Sequence, residues 1–260
     1  MITSTQNPRI KHLLLLGQKS SRRREDGLFI VEGRREVEHC ISAGYTLRTV
    51  FICDEIAEAP FTLPPGTETI QVSSNVYERI AYRGGTEGIV ALVEERHLSL
   101  ADLTLPEAPL FIVLESVEKP GNLGAVLRSA DAAAVDAVII CDPLTDIYNP
   151  NLIRSSLGAL FTVPCVACTT EECIRFFKAN DIQILTAQLQ DSRLYYDTPM
   201  TRGTAIVMGT ESTGLTMPWR NAADAHIRIP MLGRLDSLNV SVSAAILLFE
   251  AVRQRQIHTK

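Results

Sequence analysis

No stretch of this chain stays apolar for the roughly 18–20 residues that a bilayer-spanning helix requires. Met1-Ile2-Thr3-Ser4-Thr5 also lacks the basic-then-apolar order of a signal peptide. The chain is therefore expected to work in the cytoplasm with no membrane partner. A surplus of positive charge is missing too, since the net charge is −5, and this excludes a generic polyanion binder whose whole surface is basic. Internal repeats and low-complexity tracts are absent. No segment has the Gly-x-x-x-x-Gly-Lys order of a phosphate-binding loop, and none sets Gly-x-Gly-x-x-Gly between a strand and a helix, which argues against nucleotide hydrolysis and against a dinucleotide-dependent oxidoreductase. Six cysteines in 260 residues are too few for a disulfide framework.

What is present is a chain 46% hydrophobic and 21% charged, long enough for one large or two medium globular domains. Cys165-Val-Ala-Cys168 with Cys173 has thiols spaced as zinc ligands, yet no fourth ligand stands nearby. Cys165 ends an apolar strand after Pro164 and Cys173 falls in a helix, so simple burial, with no metal, is expected. Residues 1–24 carry Arg9, Lys11, Lys19, Arg22, Arg23 and Arg24 and no acidic residue. Such a basic arm fits either a solvated terminus or contact with nucleic acid.

Periodicity divides the chain. Residues 94–109, with Pro106 and Pro109, interrupt two strand-like runs and are expected to form a linker. Before it, Asn7-Pro8 opens an amphipathic helix. Strands at 28–31, 49–53, 69–72 and 88–93 alternate with helices from 34 and over 75–82, the latter opened by an Asn75/Glu78 pair resembling a capping box. After it come strands at 110–117, 137–141, 161–166, 183–187 and 204–208. Helices are expected over 122–134, 150–157, 170–180 and 240–254. Runs such as Phe111-Ile112-Val113-Leu114 are apolar on both faces, as in a parallel sheet covered on both sides. The expectation is two α/β domains, 1–97 and 106–260.

Three segments of the second domain hold residues suited to binding. In Asn122-Leu123-Gly124-Ala125-Val126-Leu127-Arg128 an apolar stripe leaves Arg128 on nearly the opposite helix face. Asn122 stands where it can cap free N–H groups, and Gly124 one turn earlier leaves space beside the guanidinium. In Ile206-Val207-Met208-Gly209-Thr210-Glu211-Ser212-Thr213-Gly214, Gly209 ends an apolar strand where a ligand can approach the backbone. Third, His226 to Met231 leads to Ser237-Leu238-Asn239, whose Ser and Asn are good N-cap types, and to a helix rich in small residues that permits close packing. Taken singly, these read as a solvated arginine, a surface turn and helix caps; His226 reads as structural.

Together, in this order, the three segments resemble the motifs of the SpoU/TrmH family of RNA ribose 2'-O-methyltransferases, within the SPOUT superfamily. The likeness covers residues 110–254. Around Leu28-Phe29-Ile30-Val31-Glu32-Gly33 the first domain is similar to the substrate-binding extension of that family, akin to ribosomal protein L30e. The resemblance implies a trefoil-knotted parallel sheet flanked by helices, behind a small α/β L30e-like RNA-binding domain. It further implies a homodimer and S-adenosylmethionine, held at Gly209, Ile229 and Leu238 with Met231 and Ala187. Catalysis falls to Arg128, Asn122, Glu211, Ser237 and Asn239, and Arg22, Arg23 and Arg24 are expected on RNA. Arg128 then serves either as general base or as stabiliser of negative charge. The two-domain form leans toward ribosomal RNA; transfer RNA or a catalytically silent RNA-binding module are the alternatives.

Overall fold

The computed structural model describes residues 1–57, 62–81, 87–210, 213–234 and 237–258. It divides into two compact units, residues 1–96 with 146–162, and residues 97–145 with 163–260.

In the first unit, helices α1 (Pro8–Gln18) and α2 (Ser20–Asp26) precede strand β1 (Leu28–Glu32), helix α3 (Arg34–Ser42), strands β2 (Leu47–Ile52) and β3 (Glu68–Gln71), helix α4 (Ser74–Ile80) and strand β4 (Ile89–Glu94). The sheet order is β1-β4-β2-β3, antiparallel except for the parallel β2–β3 pair. Pro8 occupies the first turn of α1, and the Asn7 side chain accepts from the Arg9 N–H at 2.9 Å, so the helix begins where its sequence signals place it. Ile10, Leu13 and Leu16 recur at helical spacing and pack with Phe51, Val72, Val76 and Tyr77 into one core. Helix α4 has Ser73 at its N-cap position and is not opened by an Asn75/Glu78 box, since Asn75 already lies inside the helix.

The basic arm is not a tail. Residues 8–26 are almost wholly helical, and Arg23 is buried at 2% exposure. Its Nε lies 2.6 Å from Asp146 Oδ2, and its Nη1 donates to the Leu16 carbonyl. Arg22 pairs with Asp26 at 2.9 Å, which leaves Arg24 exposed. Arg23 is therefore poorly placed to meet an RNA phosphate, because it is buried with its Nε and Nη1 committed inside the fold.

Strands β5 (Leu110–Glu115), β6 (Ala137–Cys141) and β7 (Cys165–Cys168) are three of the seven strands of the second sheet, and helix α5 (Pro120–Ala132) follows β5. Helices α6 (Pro150–Ser155) and α7 (Ala159–Thr162) fall between β6 and β7 in sequence but belong to the first unit. There Tyr148 stacks on Phe29 with centroids 4.1 Å apart. Phe161, expected in a strand, is helical, and the strand starts later, at Cys165. Helix α8 (Thr170–Ala179), strands β8 (Gln183–Ala187), β9 (Arg193–Leu194) and β10 (Thr204–Met208), helix α9 (Met217–Ala222), strand β11 (Ala225–Arg228) and helix α10 (Val240–His258) complete the chain.

The seven strands run parallel in the order β7-β6-β5-β10-β8-β11-β9. Strand β10 is inserted between β5 and β8, pairing Val207 with Val113 on one side and Thr186 on the other. One face of the sheet, with Phe111, Val113, Ile139 and Val207, packs on Phe177 of α8 and Trp219 of α9. Alternate residues such as Ile112 and Leu114 point the other way, and α5 and α10 pack on each other. The expected linker is partly ordered by this core: Leu98, Leu100, Leu103 and Leu105 pack against it, around a short 3-10 turn whose capping box joins Ser99 and Asp102.

A buried carboxylate ties the loop after β10 to the end of β5. Glu115, 2% exposed, accepts from the Thr216 N–H at 2.9 Å, from the Thr216 hydroxyl at 2.5 Å and from the Thr170 hydroxyl at 3.3 Å. Thr170 in turn accepts from the Trp219 indole at 3.1 Å. With its oxygens bonded in this way, Glu115 serves as a structural anchor.

Candidate active site

A cavity of about 420 Å³ opens at the C-terminal ends of β8, β10 and β11, the side of an open α/β sheet where ligands bind beside a reversal in strand order. Its volume suits a nucleoside-sized molecule. The wall is built from chain segments that leave the sheet together: Ala187 and Gln188 from β8, Met208 and Gly209 from β10, and Ile227 to Ile229 from β11. Met231, Ser237 and Leu238 close it from the segment before α10. All five residues expected at a cofactor, Ala187, Gly209, Ile229, Met231 and Leu238, thus line one cavity, and Ser237 lines it with them.

Gly209 is needed for a reason beyond ligand approach. A Cβ there would stand 2.3 Å from the Gly214 carbonyl carbon, because the loop folds back on itself: the Gly214 N–H donates to the Thr210 carbonyl at 3.0 Å. Gly214 itself has φ +68°, in the region that favours glycine. Glu211 lies outside the described residues.

Asn122 and Asn239 meet. The Asn239 side-chain amide donates to Asn122 Oδ1 at 3.1 Å, joining the start of α5 to the start of α10. Asn239 is the cap of α10, its Oδ1 accepting from the Ser241 N–H at 2.9 Å. Asn122 is not a cap, because α5 begins two residues earlier, at Pro120, with Lys119 at its cap position. Ser237 precedes the cap of α10 and faces the cavity instead.

Arg128 is exposed on α5, opposite the buried stripe of Leu123, Val126, Leu127 and Ala130. It is not part of the cavity wall. At 1.5 Å rise per residue it stands roughly 9 Å along the helix axis from Asn122. Gly124 is buried with the stripe rather than opening space beside the guanidinium. His226 is structural, its Nδ1 bonded to the Thr186 hydroxyl at 2.6 Å.

Gln188 had no signal in the sequence. Its Nε2 donates to the Gln190 carbonyl at 2.9 Å, while its Oε1 is buried in the cavity wall with no hydrogen-bond partner among the described residues. A buried acceptor without a donor is costly, so this oxygen fits a ligand that brings an N–H or O–H. Arg220 and Arg228, also on the wall, spend donors on the carbonyls of Leu215 and Ser192.

The model of the SpoU rRNA Methylase family matches residues 109–249, and that of an MRM3-like substrate binding domain matches residues 7–91. The chain belongs to the SpoU rRNA methylase family. Among relatives, the 23S rRNA (guanosine(2553)-2'-O)-methyltransferase RlmP of Bacillus subtilis is 27% identical over 95% of this chain and 97% of its own length. The 23S rRNA (guanosine-2'-O-)-methyltransferase RlmB of Bordetella pertussis is 39% identical over 65% of this chain and 71% of its own. An AdoMet-bound rRNA methyltransferase from Sinorhizobium meliloti superposes with a TM-score of 0.89 at 30% identity, covering 97% of each chain. The SpoU match spans the whole parallel sheet from β5 to most of α10, so the cavity lies inside the part of the chain that defines the family.

Proposed function

We propose that this protein transfers the methyl group of S-adenosylmethionine to a ribose 2'-hydroxyl of ribosomal RNA. The observation that carries the reading is the convergence of Ala187, Gly209, Ile229, Met231 and Leu238 on one cavity at the strand ends. Relatives named as 23S rRNA 2'-O-methyltransferases and an AdoMet-bound structural neighbour support the substrate and the cofactor. The wall suits such a ligand, with backbone at Gly209 and Ile229, apolar Met231 and Leu238, and the unfilled Gln188 Oε1.

The cofactor supplies a methyl already activated by its sulfonium, so the chain's own residues have to align the hydroxyl and help it lose a proton. A guanidinium keeps its proton up to a pKa above about 12, so Arg128 binds phosphate and stabilises the charge developing on the ribose oxygen. Asn122 and Asn239 hold the starts of α5 and α10 together, and Ser237 offers a hydroxyl from the cavity wall. Glu211 is assigned to the same site.

The first unit is assigned to RNA binding as an L30e-like domain, with its match to a substrate-binding model in support. Exposed Lys11, Lys19 and Arg24 take the phosphate contacts that Arg23 is poorly placed to make. A homodimer is assigned to the C-terminal helix: Val242 and Phe249 are 48% and 47% exposed one heptad apart on α10, an apolar stripe suited to a second copy. The trefoil knot and a cytoplasmic location complete the reading. No helix among the described residues is long and apolar enough to cross a membrane.

Labelled S-adenosylmethionine and ribosomal RNA test this directly. The label should appear in an alkali-resistant linkage, and a 2'-deoxy substitution at the target should abolish it. A deoxy substrate that is still methylated would make the acceptor a base and overturn the reading, and label confined to transfer RNA would replace the substrate. Gln188→Ala should weaken cofactor binding by about tenfold, the cost of one buried hydrogen bond, as read by calorimetry. An unchanged Kd would remove Gln188 from the site.

A further inference from the structure

Three thiols meet at a place that the proposed reaction does not use. Cys141 ends β6 and Cys168 ends β7 directly opposite it in the parallel ladder. Cys173 comes from the first turns of α8. The sulfurs of Cys141 and Cys168 are 4.0 Å apart, and all three lie within 4.8 Å of one another. Cys165 is excluded by strand geometry: three residues before Cys168 on the same strand, it points to the opposite face of the sheet. The thiol spacing visible in the sequence thus couples the wrong pair, and the partner it misses, Cys141, comes from the neighbouring strand.

We propose that Cys141, Cys168 and Cys173 form a three-thiolate site for a soft divalent cation of the zinc type, with a structural role. Tetrahedral zinc with Zn–S bonds near 2.3 Å holds its sulfurs about 3.8 Å apart, so the three thiols need to close by no more than roughly 1 Å. Cys141 and Cys173 are buried and Cys168 is half-buried, which gives the ion one side of entry. The fourth ligand comes from that side, as water or as a carboxylate, since Asp142 and Glu172 both act electrostatically on Cys168. Binding displaces the thiol protons to solvent and forms three metal–sulfur bonds. The N-terminus of α8, capped at Thr169, favours a thiolate at the residue before it. The ion would fasten β7, the last strand in the sheet order at this edge, to β6 and α8.

The test is titration of the reduced full-length protein with Co²⁺, then Zn²⁺. One Co²⁺ per chain should bind with sulfur-to-cobalt charge-transfer absorption and the ligand-field bands of a tetrahedral site, and one equivalent of zinc should displace it. Cys168→Ser should weaken binding by about 100-fold or more, the order expected when a direct ligand is lost, and Cys165→Ser should keep the full signal. No charge-transfer band at one equivalent would overturn the proposal and leave the three thiols as ordinary core, as would equal signals from the two variants. If Cys168→Ser does not fold, alkylation of Cys168 in the unaltered protein decides: zinc should slow it at least tenfold, and an unchanged rate overturns the site. Methyl transfer is not among these readouts, so a failure here leaves the proposed function untouched.

Discussion

Arg128→Ala should lower kcat/KM for methyl transfer by about 10²–10³, the range seen when one preorganised donor to a developing oxyanion is removed. Cofactor affinity should not move, because the cavity wall is built from β8, β10, β11 and the segment before α10, and Arg128 is no part of it. Thermal stability should also hold, since the side chain is exposed and the packing of α5 rests on Leu123, Val126, Leu127 and Ala130. Single-turnover transfer, cofactor calorimetry and a melting curve separate the three statements. If cofactor Kd rises in step with the loss of transfer, Arg128 belongs to the cofactor site rather than to the ribose and phosphate. If transfer survives, the electrostatic role is wrong.

The elements read most accurately from sequence are the central strands. Ala137–Cys141, Gln183–Ala187 and Thr204–Met208 take the expected limits, because a parallel strand covered on both faces reads as a near-continuous apolar run, in which even Gln183, Thr186 and Thr204 are buried. Short apolar text is ambiguous elsewhere. Phe161-Thr162-Val163 reads as strand, yet its first two residues close helix α7 and are held by the first unit, which local pattern cannot register. The site divides in the same way. That Gly209, Ile229 and Leu238 would share one cavity was legible through the family's motifs and not through their chemistry, since none of the three offers a titrating side chain. Gln188 was not legible, because its significance lies in an unfilled acceptor that exists only once β8 and the loop after it are folded. The cap positions of α4 and α5 lie two and three residues before the expected ones, so Asn122 has no capping role and has Asn239 as a partner.

Arg23→Ala should destabilise the first unit by about 3–5 kcal/mol, the cost of leaving one member of a buried ion pair without the other. The charge itself is at the centre of the packing. Arg23 is 2% exposed, and Asp146, its partner at 2.6 Å, is 11% exposed, so the pair is largely withdrawn from water. Asp146 Oδ1 also accepts from the Tyr148 N–H at 2.9 Å, and Tyr148 lies stacked on Phe29, so loss of the guanidinium strikes the segment 146–162 where it joins the unit. A fall in melting temperature of roughly 10–20 °C follows for a domain of this size, read by calorimetry as a shift of one transition. Arg24→Ala, on the exposed side of α2, should leave that transition in place and reduce the salt dependence of RNA binding by about one counterion's worth. A protein that melts normally without Arg23 but loses RNA affinity would restore the arginine run as a surface arm. Equal melting curves for the two variants would show that the Arg23–Asp146 pair contributes nothing to holding residues 146–162 in the first unit.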